Sequence, residues 1–172
     1  MRVEPTKISG VYVVEPDPIR DERGFFARLQ CPVELKAAGI DFQPLQTSLS
    51  RNIARGTLRG MHYTSVPETK LVRCVRGRVF DVALDLRPLS PTHLQWAGVE
   101  LDAIKANAII VPAGVAHGFL TLKADSDVLY QIDRLYAPGF DLGARWDDPA
   151  FGIRWPMAPS VMHDRDRNYP MI

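Results

Sequence analysis

Residues 78–86 read Arg78-Val79-Phe80-Asp81-Val82-Ala83-Leu84-Asp85-Leu86, and their alternation decides the fold. Phe80, Val82, Leu84 and Leu86 fall on one side and Asp81, Ala83 and Asp85 on the other, which is the period of a strand and not of a helix. One face must pack, and the other must meet solvent or a polar cavity. Comparable short runs rich in β-branched and aromatic residues flank this one, at 8–14, 24–29, 46–50, 58–63, 70–75, 96–101, 108–111, 117–122 and 128–135. Such spacing predicts an all-β sandwich or barrel. The clearest helical pattern is PVELKAAG over 32–39, with proline at a helix-compatible first position and a closing glycine. The tail from Asp147, with Phe151 and Trp155, reads together with Trp146 as irregular segments pinned onto the barrel by aromatics.

The chain has 172 residues, and its 14 prolines and 12 glycines are spread along it without a linker or a compositional break. One domain over 1–172 is the expectation. Hydrophobic residues make up 46% and charged residues 24%, which excludes a disordered or disulfide-dense chain. The formal net charge of +1 offers no broad field to nucleic acid or an anionic membrane, so neither is expected as a partner. Arginine dominates the cations, however: only Lys7, Lys36, Lys70, Lys105 and Lys123 are lysines. The guanidinium fork suits phosphate, so a phosphorylated small molecule is a plausible ligand. Cys31 and Cys74 have no CxxC spacing and are expected to be reduced. No apolar leader or run of membrane-spanning length is read, and a cytoplasmic protein is expected.

Two segments place histidine beside glycine at expected strand ends: GTLRGMHYT over 56–64 and VPAGVAHGFL over 111–120. Together they resemble the two cupin motifs, with Gly56, His62, Glu68 and Gly77 in places of the first and Pro112, Gly114 and His117 in places of the second. The resemblance implies a double-stranded β-helix (cupin or jelly-roll) barrel with both histidines inward. Cupin sites often hold metal, but Thr64 stands where the second histidine would be. His62, Glu68 and His117 remain as a two-histidine, one-carboxylate set. Glu68 lies in the loop SVPETK, where a solvent-facing side chain is the simpler reading, and a metal-free site is expected.

Further segments run collinearly from about residue 8 to 170: Asp21-Glu22-Arg23-Gly24-Phe25-Phe26, Leu58-Arg59-Gly60-Met61-His62-Tyr63, Lys70-Leu71-Val72-Arg73, Val79-Phe80-Asp81-Val82, Ser90-Pro91-Thr92, Pro112 to Phe119, Tyr136-Ala137-Pro138 and Arg145 to Pro149. They resemble the dTDP-4-dehydrorhamnose 3,5-epimerase family of cupins. The resemblance implies a cofactor-independent epimerase of a nucleotide-diphosphate sugar, typically a homodimer. Epimerising a carbon beside a ketone needs a base, a donor to the enolate oxygen and an acid on the opposite face. By position, His62 matches the base, Asp166 the carboxylate that orients it and Tyr130 the acid. Lys70 and His117 match residues at the carbonyl oxygen, with Asp81 inferred from the alternation to orient His117. Arg23 and Arg59 match diphosphate contacts, Arg23 serving the partner's site, while Gln46 lies near the nucleotide and Tyr136 beside the sugar.

Each residue has a plainer reading. An inward histidine is often a hydrogen-bonded core residue, Tyr130 and Tyr136 are spaced for one face of an unbroken strand, and Asp166 in a charged tail is ordinarily solvated. Arg73, Arg76 and Arg78 read as a solvated hairpin, and His93 and His163 as exposed. The chain also departs from the family pattern. Ala27 follows the Phe pair where many members have Glu, Gln46-Thr47-Ser48 replaces Gln-Asp-Asn, and the turn YTSVPET is about two residues short. These differences bear on which nucleotide and sugar is bound, and on inversion at C3 alone or at C3 and C5, more than on the reaction type. A keto-sugar isomerase and a non-catalytic or metal-dependent cupin are the other readings.

Overall fold

The computed structural model describes residues 1–172. In chain order its elements are β1 (Arg2–Pro5), β2 (Tyr12–Glu15), β3 (Ile19–Asp21), β4 (Gly24–Phe26), α1 (Pro32–Ala37), β5 (Gln46–Asn52), β6 (Thr57–Thr64), β7 (Lys70–Arg76) and β8 (Arg78–Asp85). They continue with β9 (Trp96–Asp102), β10 (Ala108–Val111), β11 (Val115–Thr121), β12 (Ser126–Ile132), β13 (Asp141–Gly143), β14 (Val161–Met162) and α2 (Asp164–Arg167). One sheet runs β1-β2-β10-β7-β12-β5 and the other β13-β6-β11-β8-β9, with β14 added parallel to β6 and β3–β4 as a separate hairpin. This is the all-β jelly-roll architecture expected from the sequence, and no helix is long and apolar enough to cross a membrane.

The strand β8 shows how the alternation is spent. Val79 and Ala83 point into the core between the sheets with Val72, Ile109, Val115, Phe119 and Val128. Phe80, Val82 and Leu84 point the other way and are covered by the tail, where Phe151 and Trp155 join Met61 and Ala116. Both faces are therefore buried, and Asp81 and Asp85 are fully so. The expected polar face is the barrel interior. The opposite sheet is covered by α1 and the segment after it: Leu35, Ile40 and Phe42 pack on Leu71 and Ile110. The helix starts at Pro32 and is followed by Gly39 at φ +81°, a conformation that glycine adopts without strain.

Arg73 overturns the solvated-hairpin reading in part. It lies on the outer face of β7, but its guanidinium is buried and donates to the carbonyls of Ala106 and Leu29. Burial pulls its pKa down to about 10. Arg76 is exposed, and the half-exposed Arg78 lies 3.6 Å from Glu100. His93 and His163 are exposed as expected, and both cysteines are free.

The connection from β8 to β9 is organised by Asp85. It accepts from the Arg87 Nε at 2.8 Å and Nη2 at 2.7 Å, from Ser90 Oγ at 2.5 Å and from Thr92 Oγ1 at 2.6 Å. Burial pushes this carboxyl up, but those donors outweigh it and hold it well below the usual carboxylate range. A depressed folded-state pKa stabilises the fold above the unfolded pKa of about 3.9, and that contribution is lost as pH falls below it. Asp85→Asn is therefore expected to cost about 2–4 kcal/mol at neutral pH. Urea unfolding across pH should show the gap to wild type constant above about pH 5 and narrowing below about pH 4.

Candidate active site

The site begins with two strands that touch. Across β6 and β11, His62 stands opposite His117. Next to them Gly60, at φ +143°, faces Gly118; a Cβ on Gly118 would come within 2.7 Å of Met61 Sδ and 2.9 Å of the Arg59 carbonyl. Side chains at either position would force the strands apart, so the glycines set the distance at which the histidines stand.

Each histidine is held by a carboxylate. His62 Nε2 donates to Asp166 Oδ1 at 2.8 Å, and the other oxygen of Asp166 accepts the Gly60 N–H at 3.2 Å. His117 Nε2 donates to Asp81 Oδ2, also at 2.8 Å. Because an ionised carboxylate only accepts, these bonds place the neutral ring's proton on Nε2 and leave Nδ1 of each histidine as the basic nitrogen. Burial opposes the charge on Asp166, but the bond from His62, the Gly60 N–H and nearby Arg165 outweigh it and hold its carboxyl below the usual range. Asp81 is fully buried, and its second oxygen has no hydrogen-bond partner.

His62 lines three adjoining cavities. One of about 260 Å³ is walled by Ser50, Arg59, His62, Lys70, His117, Phe119 and Tyr130. Tyr130 rises from β12 in the facing sheet, its ring edge-on to His117 at 6.1 Å. Burial, then the charge of Asp81, raises its pKa; contact with Ser50 and the charge of Arg59 only partly oppose this, so the phenol keeps its proton. A second cavity of about 190 Å³ continues past Lys70 and Tyr130 to Ser48, Tyr136 and Asp141. The third, about 550 Å³, lies on the other side of His62 and carries Arg59, His163, Arg165 and Asp166.

The structure thus gathers His62, Asp166, Tyr130, Lys70, His117, Asp81, Arg59 and Tyr136 around connected space. Asp166 is no solvated acid, since α2 folds back against β6 and buries it. Tyr136 does not share a strand with Tyr130, because β12 stops at Ile132. Its backbone N–H donates to Gln46 Oε1 at 2.9 Å, and its hydroxyl to Asp141 at 3.2 Å. Gln46 holds this loop and lines none of the three cavities. Arg23 is likewise absent from them; it is exposed on the β3–β4 hairpin and paired with Asp21. Glu68 is not solvent-facing: the turn folds back so that its carboxylate lies 3.3 Å from Lys70 Nζ. His62, Glu68 and His117 do not converge into a set that could hold a metal ion, and Glu68 is turned to Lys70.

Several wall residues escaped the sequence reading. Phe119 follows His117 by two, and the strand period alone places it on the same face. Arg165 adjoins Asp166. Asn52 is buried behind the cavities, and its Oδ1 accepts from Arg59 Nε at 2.8 Å. Tyr169 carries no sequence signal, because its place depends on how the tail folds back.

A chamber between two β sheets, with histidine–carboxylate pairs on one side and a protonated phenol on the other, defines a cupin-type site built for proton transfer. The model of the family described as dTDP-4-dehydrorhamnose 3,5-epimerase matches residues 5–172. A relative with that name from Methanothermobacter thermautotrophicus is 38% identical over 168 residues, 95% of this chain and 90% of its own. The Bacillus anthracis dTDP-4-dehydrorhamnose 3,5-epimerase, solved with TDP and PPi bound, superposes with a TM-score of 0.95 at 35% identity, over 99% of both chains. A 3'-monoepimerase from Streptomyces bikiniensis in complex with dTDP-quinovose gives 0.90 at 35% identity, over 98% of this chain and 86% of its own. The chain belongs to the dTDP-4-dehydrorhamnose 3,5-epimerase family and is a sugar-nucleotide epimerase of the isomerase class.

The raised Tyr130 pKa gives a direct test. Ultraviolet titration of phenolate absorbance should show wild type and Tyr130→Phe ionising identically through about pH 10, where an ordinary tyrosine is half ionised. A missing phenolate step in the variant below that pH would show Tyr130 to be an ordinary phenol.

Proposed function

We propose that this protein, acting as a cytoplasmic enzyme without cofactor or metal, epimerises a nucleotide-linked 4-keto-6-deoxyhexose. The leading substrate is dTDP-4-dehydro-6-deoxy-D-glucose, inverted at C3 and C5 to dTDP-4-dehydro-L-rhamnose. The observation that carries the reading is the placement of base and acid on opposite sheets, His62 on β6 and Tyr130 on β12, lining one chamber. His62 Nδ1 takes the proton on the carbon beside the ketone, and the bonding pair moves into the C4 carbonyl as an enolate. Asp166 stabilises the imidazolium so formed. Lys70 and His117 supply positive charge and N–H to the enolate oxygen, with Asp81 stabilising protonated His117. Tyr130 then gives its proton to the other face of the carbon. Proton exchange with solvent resets both groups.

The wider cavity with Arg59 and Arg165 suits the diphosphate, and the mouth near Gln46 and Tyr136 the nucleoside and sugar. Inversion at C3 alone is the second reading, favoured by the similarity to the 3'-monoepimerase. In deuterated water with dTDP-4-keto-6-deoxyglucose, NMR should show deuterium entering C3 and C5. Label at C3 alone would establish the second reading, and no exchange with any 4-keto sugar nucleotide would reject the enzyme class. His62→Ala should slow exchange by about 10²–10⁴-fold. Tyr130→Phe should keep exchange at C3 while losing the inverted product.

We also propose a homodimer in which Arg23 reaches the partner's site. Support comes from the exposed hairpin that carries Arg23 with the exposed apolar residues Ile19, Phe25 and Phe26. Arg23→Ala and His62→Ala, each weak or inactive alone, should regain activity when mixed and allowed to exchange subunits, since one site of the mixed dimer is then intact. A monomeric mass in solution, or no recovery on mixing, would reject this arrangement.

A further inference from the structure

The tail residue Tyr169 sits where the proposed mechanism assigns nothing. Its ring lies against His62, centroids 6.2 Å apart and planes at 73°. It also rests on Gly143, which pairs with His62 across β13 and β6. A Cβ at position 143 would overlap the Tyr169 ring, so this strand position is bare where the ring lands. Three residues earlier in the same tail is Asp166, the acceptor of His62 Nε2. The Tyr169 hydroxyl faces Arg165, and Asp166 and Asp141 are the neighbouring negative charges.

We propose that Tyr169 is a positioning residue for the catalytic dyad: seated on Gly143, it walls the His62 ring and pins the tail that carries Asp166, so that Nδ1 stays aimed into the chamber. Two restraints act on one imidazole. The hydrogen bond to Asp166 fixes the Nε2 end but leaves the ring free to tilt about it, and a perpendicular aromatic wall removes that freedom. The same ring ties α2 to β13 by packing rather than by charge. Loss of the ring should misplace the base without removing any group that touches substrate. The proposal concerns the same site as the epimerase reading and rests on it for its kinetic arm.

The test compares Tyr169→Phe, Tyr169→Ala and Gly143→Ala. In the exchange assay, Tyr169→Ala is expected to lower kcat by about 10–100-fold with KM within about twofold, because a small displacement of a reacting group is costly while binding contacts stay in place. Tyr169→Phe, which keeps the wall, should remain within about threefold of wild type. Gly143→Ala should reproduce the Tyr169→Ala loss by displacing the ring. The acid limb of the kcat profile should move to lower pH in Tyr169→Ala and not in Tyr169→Phe, because a histidine loosened from Asp166 loses the charge that stabilises its protonated form.

The ¹⁵N-labelled imidazole of His62, followed by NMR without substrate, reads the geometry independently of any activity. Its hydrogen-bonded Nε2–H signal should be retained in Tyr169→Phe and lost or shifted in Tyr169→Ala. If Tyr169→Ala lowers thermal stability but leaves the His62 signal, the acid limb and kcat unchanged, the residue only packs the tail and the proposal is overturned. If the imidazole responds as expected and no sugar nucleotide is turned over by wild type, the positioning role stands and the epimerase reading falls. Should Tyr169→Ala not fold, Tyr169→Leu carries the same measurements, since it fills space without presenting an aromatic face.

Discussion

The arrangement depends on the close approach of β6 and β11, where Gly60 faces Gly118 with no room for a side chain between them. Strands in a sheet already lie at a fixed hydrogen-bonding distance. What the glycines add is the absence of bulk beside the two histidines, so that neither strand bows away and both imidazoles project from neighbouring positions into one chamber. A methyl group on Gly60 would run into the Gly118 backbone and the His117 carbonyl, and one on Gly118 would move Met61 and the Arg59 carbonyl. Those neighbours are not idle, since Met61 belongs to the cluster that seats the tail and Arg59 stands at the junction of two cavities. The glycine contact therefore links the inner chamber to the outer packing that brings Asp166 home.

Around that contact the electrostatics are economical. Two carboxylates, Asp81 and Asp166, are both nearly inaccessible, and each is matched to one histidine. Burying an unpaired charge would be prohibitive, so each pair also fixes which nitrogen holds the proton. The two pairs differ in their surroundings. Asp166 receives a backbone N–H and has Arg165 3.7 Å away, whereas Asp81 keeps one oxygen unpaired and faces the Tyr130 phenol through its charge. Burial first, and then a negative charge left partly unmet beside it, keep that phenol protonated, and this is the state an acid needs before it acts.

How much of this the chain discloses depends on whether contacts are local. The strands were legible because alternation is a property of neighbouring residues, and β10 was read to the residue at Ala108–Val111. The short pieces β1, β13 and β14 are not, since RVEP, DLG and VM lack the apolar run that marks the equally short β10, and they exist only because a partner strand lies beside them. Arg73 was read as solvated because alternation places it outward on β7, and nothing local says that the segment at Leu29 will cover it. In the site, His62, Lys70 and His117 stand at strand positions whose direction the period gives. Asp166 was reached only through the family resemblance, since its partner lies 104 residues away in sequence. Tyr169 leaves no local trace in the sequence, because the bare position that receives its ring, Gly143, belongs to a different element.

The departures from the family pattern fall unevenly over this geometry. Ser48 and the shortened turn up to Lys70 border the cavity that runs from Tyr130 toward Tyr136. Ala27 belongs to the segment after the hairpin that carries Arg23, and it lines an apolar groove with Phe25, Phe26 and Arg73 that shares no residue with the cavities around His62. Of these positions Ser48 lies opposite Tyr130 across β5 and β12 and the turn follows directly on His62, while Ala27 lines none of the cavities that His62 lines. In the proposed reaction His62, Asp166, His117, Asp81 and Tyr130 handle the proton, whereas Ser48 and the turn border the space that runs from Tyr130 toward Tyr136. On that reading a chain can keep one proton-transfer centre while changing the part of the cavity that holds the sugar and nucleotide. Inversion at one carbon or two then becomes a question of how the ring is held beneath an unchanged base and acid.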